Sequence, residues 1–236
     1  MKLILTRPEK DARPLADKLR DLGHDPCIVP LLEIVPRQGT AVPPENWQAV
    51  CITSANGLSN ARLLAGLQDV PLLCVGPQSL AAARTAGFAR ASAHGGDVEG
   101  LTAHIAAHLT PRDGPLLYLS GAATSGDLEG RLRACGFNVT RVMAYDAVST
   151  TPDDLLHAVT GADAVMLYSP RTAKLWLEQV EKARITAHVR KLIHVCLSPA
   201  VANTLPQDWH KVVAAMPDEK AMLAVLETLE RGRKQE

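Results

Sequence analysis

The sequence predicts an α/β protein built from two similar lobes, each a parallel sheet wound with helices on both faces. Two observations predict this: the chain repeats itself, and in each repeat short apolar strands alternate with stretches of helical periodicity. Composition agrees, because 47% of the 236 residues are hydrophobic while only 3% are aromatic. A core built from aliphatic side chains suits parallel strands covered by helices.

The first repeated unit runs from Leu3 to Glu33 and recurs without gaps from Leu116 to Asp146. Each copy contains a short apolar strand, a polar turn, a helix with leucines at helical spacing, a glycine at the C-terminal cap and a second strand. The copies match at Leu15 and Leu128, Leu19 and Leu132, Arg20 and Arg133, and Gly23 and Gly136. Each copy is therefore predicted to form a βαβ unit.

The second repeated unit begins with AVCITSANG at Ala49–Gly57 and recurs as AVMLYSPRT at Ala164–Thr172. In both copies a strand ends in a small hydroxyl residue, a helix-like stretch follows, and another strand and turn come next. Gly76-Pro77 in the first copy lies opposite Ser198-Pro199 in the second. Strands that alternate with helices in this way indicate parallel sheets.

Ligands of such folds bind at the carboxyl ends of the strands. The helix N-termini there present free backbone N–H groups and the positive end of the helix dipole, which suit carboxylates and phosphates. Two lobes with facing rows of such turns predict a binding cleft between them. The stretches LEIVPRQGTAVPPEN and YDAVSTTPDD, which follow the two βαβ units, are predicted to connect the lobes.

Charge and hydropathy exclude several classes of partner. Basic and acidic residues both number 25, so the chain lacks the global field that holds nucleic acid or an anionic membrane. The opening MKLILTRPEK has too short an apolar run for a signal peptide, and no stretch approaches the ~18 apolar residues of a membrane span. The five cysteines form no CxxC pair and are expected to be reduced and mostly buried. We expect a cytosolic protein.

No motif for a metal, nucleotide or hydrolase site is complete. His104 and His108 have the spacing of two zinc ligands, but the glutamate of HExxH is missing, which favours a solvated helix face. GxGxxG after the first strand, the Walker motif and GxSxG are all absent. Asp97 is predicted to cap a helix. The turn SGAATSG, Ser120–Gly126, is either an anion-binding loop or a flexible turn that caps a helix.

Hydroxyl side chains recur at or just past the predicted strand ends. A single one is best explained as a helix cap, but six in register between repeats indicate a lining of hydroxyl and amide donors. Such a lining serves the recognition of many oxygen atoms, without a strong base or nucleophile. The six are Thr53, Ser54, Ser79, Ser120, Ser169 and Ser198.

The blocks LILTRP, GHDPCIVPLLEI, WQAVCITSANG, CVGPQSLAAARTAG and GFNVTRVMAYDAV, in this order, resemble the uroporphyrinogen-III synthase family over essentially the whole chain. The resemblance implies two flavodoxin-like or Rossmann-like lobes joined by a two-stranded linker. One lobe would contain 1–32 and 149–236, the other 33–148, with linkers at about 33–46 and 145–152. The duplication alone would instead divide the chain near Asp113.

The resemblance also implies an activity: hydroxymethylbilane would be cyclised to uroporphyrinogen III with loss of water and inversion of ring D through a spiro intermediate. Neither cofactor nor metal is expected, and the protein is expected to be a monomer that contacts hydroxymethylbilane synthase transiently. The alternative interpretation is a non-catalytic two-lobed protein that binds a polycarboxylate or a nucleotide without turning it over.

The family's functional tyrosine matches Tyr145, which we expect to assist departure of the hydroxyl group. Many relatives carry an arginine near the place of Gly126 and a threonine near the place of Ala200 and Val201. Here the resemblance implies binding through backbone amides instead of those side chains. The expected substrate-binding residues are Arg7, Thr53, Ser54, Asn56, Gly76, Ser79, Ser120, Gly121, Ser169, Arg171 and Ser198.

Overall fold

Strands and helices alternate along the chain in the computed structural model, which describes residues 1–124 and 126–233. The strands are β1 (Lys2–Leu5), β2 (Asp25–Ile28), β3 (Leu32–Pro36), β4 (Ala49–Ile52), β5 (Leu72–Cys74), β6 (Ala91–Ala93), β7 (Leu116–Gly121), β8 (Val139–Ser149), β9 (Ala164–Leu167), β10 (Ile193–Cys196) and β11 (Lys211–Val213). The helices are α1 (Glu9–Asp21), α2 (Ala61–Leu64), α3 (Pro77–Thr85), α4 (Val98–His108), α5 (Leu128–Ala134), α6 (Leu155–Val159), α7 (Pro170–Lys182), α8 (Thr186–Val189), α9 (Pro199–Ala202) and α10 (Glu219–Arg233).

The chain divides into two compact units. The terminal unit consists of Met1–Glu33 and Val148–Glu236, and the central unit of Ile34–Ala147. The predicted connections lie where the chain crosses from one unit to the other: β3 begins one of them, and the last residues of β8 belong to the other.

The two sheets repeat one spatial arrangement of strands, although the chain enters that arrangement at a different strand in each unit. The terminal unit has the order β11-β10-β9-β1-β2, and the central unit has β6-β5-β4-β7-β8, with β3 added beside β8. The terminal order is 2-1-3-4-5 when its strands are counted along the chain, which is the flavodoxin-like order. The pairs within these five-strand sets are parallel. The predicted α/β fold with parallel sheets is confirmed.

The two strands of each duplicated βαβ unit also pair in the same register. In the terminal unit Leu5 pairs with Ile28, and in the central unit Tyr118 pairs with Arg141. Both central residues are 113 positions beyond their counterparts, which is the constant shift of the sequence repeat. The repeat in sequence is therefore a repeat in backbone structure.

Each sheet is buried on both faces, which explains its continuous apolar runs. Along β1, Leu3 and Leu5 pack with α1 and α10 on one face, whereas Ile4 packs on the other face with Trp176 of α7. This alternation follows from the two-residue period of a strand. Helices begin where the sequence predicts: Asp97 caps α4 by accepting a hydrogen bond from the backbone N–H of Gly100 at 2.8 Å.

One histidine lies inside the core of the terminal unit. His194, on β10, is fully buried, and its Nε2 accepts a hydrogen bond from Nε1 of Trp176 at 3.4 Å. Its Nδ1 lies 3.2 Å from the carbonyl oxygen of His210. Burial disfavours the charged imidazolium and lowers the pKa of His194 to about 4.

Among the described residues, no helix has both the length and the apolar character needed to cross a membrane. The five cysteines are free thiols; Cys51, Cys74 and Cys196 are buried, and Cys135 is exposed.

Candidate functional site

A cavity of about 350 Å³ opens at the carboxyl ends of β4 and β7 in the central unit. Parallel sheets bind ligands at this edge, because helix N-termini and strand-ending turns converge there. The lining comes from the turn after β4, the residue after β5, the start of α4, the end of β7 with its following turn, and one tyrosine of β8. Its residues are Thr53, Ser54, Gly57, Val75, Gly96, Asp97, Val98, Leu119, Ser120, Gly121, Ala123, Thr124 and Tyr145.

Beneath the cavity, two hydroxyl groups from neighbouring strands meet. Thr53 Oγ1 lies 3.0 Å from the phenolic oxygen of Tyr118, and either group can donate the hydrogen bond. Tyr118 is 2% exposed, and its burial raises the pKa of the phenol, while the bond from Thr53 and the charge of Arg141 act in the opposite direction. The phenol therefore remains a neutral hydrogen-bonding group that orients Thr53.

The guanidinium of Arg141 holds the end of β7. Its Nε donates to Oγ of Ser120 at 2.8 Å, and its Nη2 donates to the carbonyl oxygens of Gly121 at 2.8 Å and Ala122 at 3.0 Å. Ser120 itself is 3% exposed. The sequence prediction missed both Arg141 and Tyr118, although one signal was present: Arg141 is a charged residue where the first repeat has Ile28.

Tyr145 packs directly against the backbone of Gly121. The pairing of β7 with β8 shifts register between Ser120 and Gly121, so that Gly121 faces Tyr145. A Cβ atom at position 121 would lie 2.7 Å from Cζ and 2.8 Å from Cε2 of the tyrosine ring, which is closer than real Cβ atoms approach their neighbours. The amide of Ala122 also donates to the carbonyl oxygen of Tyr145 at 3.2 Å. The Tyr145 ring can therefore occupy this position only because residue 121 has no side chain.

The structure brings together four of the predicted binding residues of this unit, Thr53, Ser54, Ser120 and Gly121, with the predicted catalytic Tyr145. Ser54 also caps the 3-10 turn Ala55–Leu58, accepting from the amide of Asn56 at 3.2 Å.

The other predictions for this unit lie outside the lining of the cavity. They are Asn56, Gly76 and Ser79. Gly76 precedes α3, and Ser79 lies inside that helix with 6% of its surface exposed. In the turn after β7, Ser125 lies outside the described residues, and Gly126 is exposed with a φ of +84°.

The terminal unit carries the remaining predicted residues at the carboxyl ends of β1, β9 and β10. Nη1 of Arg7 lies 3.7 Å from Oε2 of Glu219, and its guanidinium carbon lies 4.9 Å from the centre of the Tyr168 ring. Burial raises the pKa of Tyr168; the charge of Arg7 lowers it and that of Glu219 raises it. The Arg7 guanidinium therefore already contacts the carboxylate of Glu219 and the ring face of Tyr168.

Three further predicted residues surround two helix starts of the same unit. Ser169 caps α7 by accepting from the amide of Thr172 at 3.1 Å, and the exposed Arg171 follows in the first turn. Ser198 occupies the position before α9. Val201 is 1% exposed and packs in the core, so the departure at this position leaves no side chain for binding.

Three histidines of the central unit form a stack. The ring centres of His94 and His104 are 3.3 Å apart, and those of His104 and His108 are 4.2 Å apart. Burial, followed by the neighbouring histidines, lowers the pKa of His94 and of His104. The rings lie face to face, and across residues 1–124 and 126–233 no three histidine, cysteine or acidic side chains are grouped to hold a metal ion.

The fold is similar to that of uroporphyrinogen-III synthetase from Helicobacter pylori, with 15% identity and a TM-score of 0.65 over 97% of this chain and 99% of that one. It is also similar to a mutant uroporphyrinogen III synthase from the extremely thermophilic bacterium Thermus thermophilus, with 15% identity and a TM-score of 0.53 over 100% of both chains.

A search of curated proteins finds no match to the sequence. The family model described as Uroporphyrinogen-III synthase HemD matches residues 13–224. Since this match spans most of the chain, the protein belongs to the uroporphyrinogen-III synthase family, a family of cyclising hydro-lyases of heme biosynthesis.

Proposed function

We propose that this protein cyclises hydroxymethylbilane to uroporphyrinogen III without a bound cofactor or metal. One observation carries the proposal: in a member of this family, the predicted tyrosine lies in a cavity whose other lining groups are hydroxyls, backbone amides and apolar side chains, with one carboxylate that caps a helix. This lining suits a reaction that needs orientation and charge stabilisation more than a strong base or nucleophile.

The proposed reaction begins when the hydroxyl group of the substrate accepts a proton and leaves as water. The azafulvene cation that remains is attacked by the substituted carbon of ring D, which forms a spiro intermediate. One bond of ring D then breaks and re-forms at the other side of the ring, and loss of a proton restores the pyrrole. Overall, one hydroxymethylbilane gives one uroporphyrinogen III and one water.

Tyr145 is proposed to donate a hydrogen bond to the leaving hydroxyl group. Its ring is held against Gly121, which limits the positions its phenolic oxygen can take. A donor fixed in this way needs no reorganisation when the carbon–oxygen bond breaks, which is how preorganised groups lower a barrier.

The acetate and propionate groups of the substrate are proposed to bind at the strand ends of both units. Within the central unit the donors would be Thr53, Ser54, Asn56, Gly76, Ser79, Ser120 and Gly121; within the terminal unit they would be Arg7, Ser169, Arg171 and Ser198. Support comes from their place at the carboxyl ends of parallel strands, where helix starts and turns offer N–H and O–H groups. We also propose that the two units are the two lobes of the synthase, and that the protein is a cytoplasmic monomer in transient contact with hydroxymethylbilane synthase.

The test is to mix the purified protein with freshly made hydroxymethylbilane, oxidise the product and separate the porphyrin isomers by chromatography. We expect isomer III in large excess, whereas spontaneous closure yields isomer I without inversion. Isomer I alone would reject the proposed function. Tight binding of the bilane with no turnover would support the binding-protein alternative instead.

A Tyr145→Phe variant tests the role of the phenol. We expect kcat to fall about 100-fold, because a positioned proton donor is lost, while the free energy of unfolding changes by less than about 1 kcal/mol. The matched control is Tyr168→Phe, which removes a phenolic hydroxyl from the terminal unit and should leave kcat within about threefold of the parent. An unchanged rate for Tyr145→Phe would remove the proposed role of this residue.

A further inference from the structure

One arginine side chain bonds two carbonyl oxygens at the end of β7. The pairing of β7 with β8 shifts register between Ser120 and Gly121, and such irregularities disturb the regular ladder of backbone hydrogen bonds. Arg141 supplies partners, since Nη2 donates to the carbonyl oxygens of both Gly121 and Ala122. Its Nε simultaneously fixes the Ser120 hydroxyl. Three consecutive residues are therefore held by one planar cation.

Arg141 is not among the residues that line the cavity, whereas Ser120, Gly121 and Tyr145 are. These hydrogen bonds of Arg141 go to the turn, so the turn is the contact through which Arg141 would position a ligand in the cavity. Two effects follow from the geometry. The turn is kept against the Tyr145 ring, and the two carbonyl oxygens, which would repel carboxylates, are bonded to a cation.

We propose that Arg141 is a positioning residue for the synthase reaction: it holds Ser120–Ala122 in the conformation that places Tyr145, and it bonds two carbonyl oxygens that would otherwise repel the substrate carboxylates. The inference rests on the proposed function for its chemistry. The position of the turn itself is a property of the protein that is measurable without substrate.

The activity test compares Arg141→Gln and Arg141→Lys with Arg133→Gln. Arg133 is a matched control, because its Nη2 also donates to a backbone carbonyl of β8, that of Val139 at 3.0 Å, at the strand's other end. We expect Arg141→Gln to lower kcat about 30-fold with KM changed less than about threefold, Arg141→Lys to recover part of the loss, and Arg133→Gln to match the parent. Added guanidinium ion at millimolar concentration should raise kcat of an Arg141→Ala variant.

Equal kcat values for Arg141→Gln and Arg133→Gln would overturn the proposal. So would a loss of activity that neither lysine nor guanidinium restores and that matches the fraction of unfolded protein in a thermal melt. If Arg141→Gln does not fold, Arg141→Lys is compared with the parent instead. A kcat of Arg141→Lys equal to that of the parent would then overturn the proposal.

Hydrogen exchange separates this inference from the proposed function. The amide of Ala122, bonded to the carbonyl of Tyr145, should exchange at least about tenfold faster in Arg141→Gln and at the parent rate in Arg133→Gln. If the parent protein makes no isomer III but the exchange changes as expected, the proposed function fails and the positioning of the turn stands. If isomer III forms but Ala122 exchange is unaffected, the assignment of Arg141 fails alone.

Discussion

The two units share one backbone plan but place their cations differently. Leu5 and Ile28 of the terminal unit pair in the same way as Tyr118 and Arg141 of the central unit. Arg7 lies just after the first strand of the terminal unit, and its counterpart after the constant shift of 113 residues is Ser120. The terminal unit therefore carries its arginine just after the first strand of the βαβ unit, whereas the central unit carries its arginine on the second strand.

This difference changes what each strand end offers. In the terminal unit the guanidinium of Arg7 is exposed in part and is held from the side by Glu219 and Tyr168. In the central unit the guanidinium of Arg141 is turned toward the backbone, and the cavity receives the serine, the glycine and Tyr145 instead. A duplicated scaffold can thus present a partly exposed cation at one strand end and a cavity lined by hydroxyl groups and a tyrosine at the matching end.

The largest effect is expected from filling the space beside Tyr145, because this removes the contact that distinguishes the central unit. Gly121→Ala places a Cβ atom where the ring now lies, so the ring must move away from its present position. We expect kcat to fall at least about 100-fold and the free energy of unfolding to fall by about 1–3 kcal/mol. Steady-state kinetics and urea unfolding measure the two effects.

Gly232→Ala is the control, because a methyl group added to this glycine of α10 would meet no neighbour within 4 Å and alanine favours helices. Gly232→Ala should leave kcat unchanged and should leave the free energy of unfolding unchanged or slightly raised. Full activity of Gly121→Ala would show that the contact with Tyr145 does not matter for the reaction.

Lowering the pH should destabilise the terminal unit more than the central unit. His194 of β10 pairs with Val165, and Leu72 of β5 pairs in the same way with Val50, so one core position is histidine in one unit and leucine in the other. Burial lowers the pKa of His194 from 6.5 to about 4. The unfolded chain therefore binds the proton first, and stability is lost as the pH falls from about 6.5 toward 4.

The expected loss from His194 is about 3 kcal/mol between neutral pH and pH 4. Hydrogen exchange followed separately in the two units over this pH range measures it, and the strands of the terminal unit should lose protection first. A His194→Gln variant, which cannot become charged, should show a shallower dependence on pH. Equal loss of protection in the two units of the parent protein would contradict the prediction.

The smallest effect is expected from the cation of the terminal unit. Arg7→Met should raise KM for hydroxymethylbilane about three- to tenfold and leave kcat nearly unchanged, because a partly exposed charge contributes binding in the ground state and the transition state alike. Lys18→Met is the control, since Nζ of Lys18 also pairs with Glu219, at 3.3 Å, and its loss leaves Arg7 in place. A loss of kcat with unchanged KM in Arg7→Met would assign Arg7 to the chemical step instead.

Much of the architecture was predictable because its signals are local. The buried strands are continuous apolar runs, the helices have apolar residues at helical spacing, and the Asp97 cap is marked by its position before a helix. The repeat added long-range information, since two copies of one βαβ pattern imply one topology twice. The candidate cavity was predictable in part. The predicted residues that line it are Thr53, Ser54, Ser120, Gly121 and Tyr145. Tyr118 and Arg141, which bond to this lining from outside it, were missed.

The element order, the duplicated parallel sheets and the family could therefore all be predicted from the sequence. Which side chains meet at the strand ends depends on how the strands and helices pack together. Thr53 and Tyr118 are 65 positions apart in the chain, and Arg141 reaches Ser120 across a strand pair with a register shift. Such contacts depend on the register and side-chain direction of neighbouring strands, and no local pattern of apolar and polar residues encodes either.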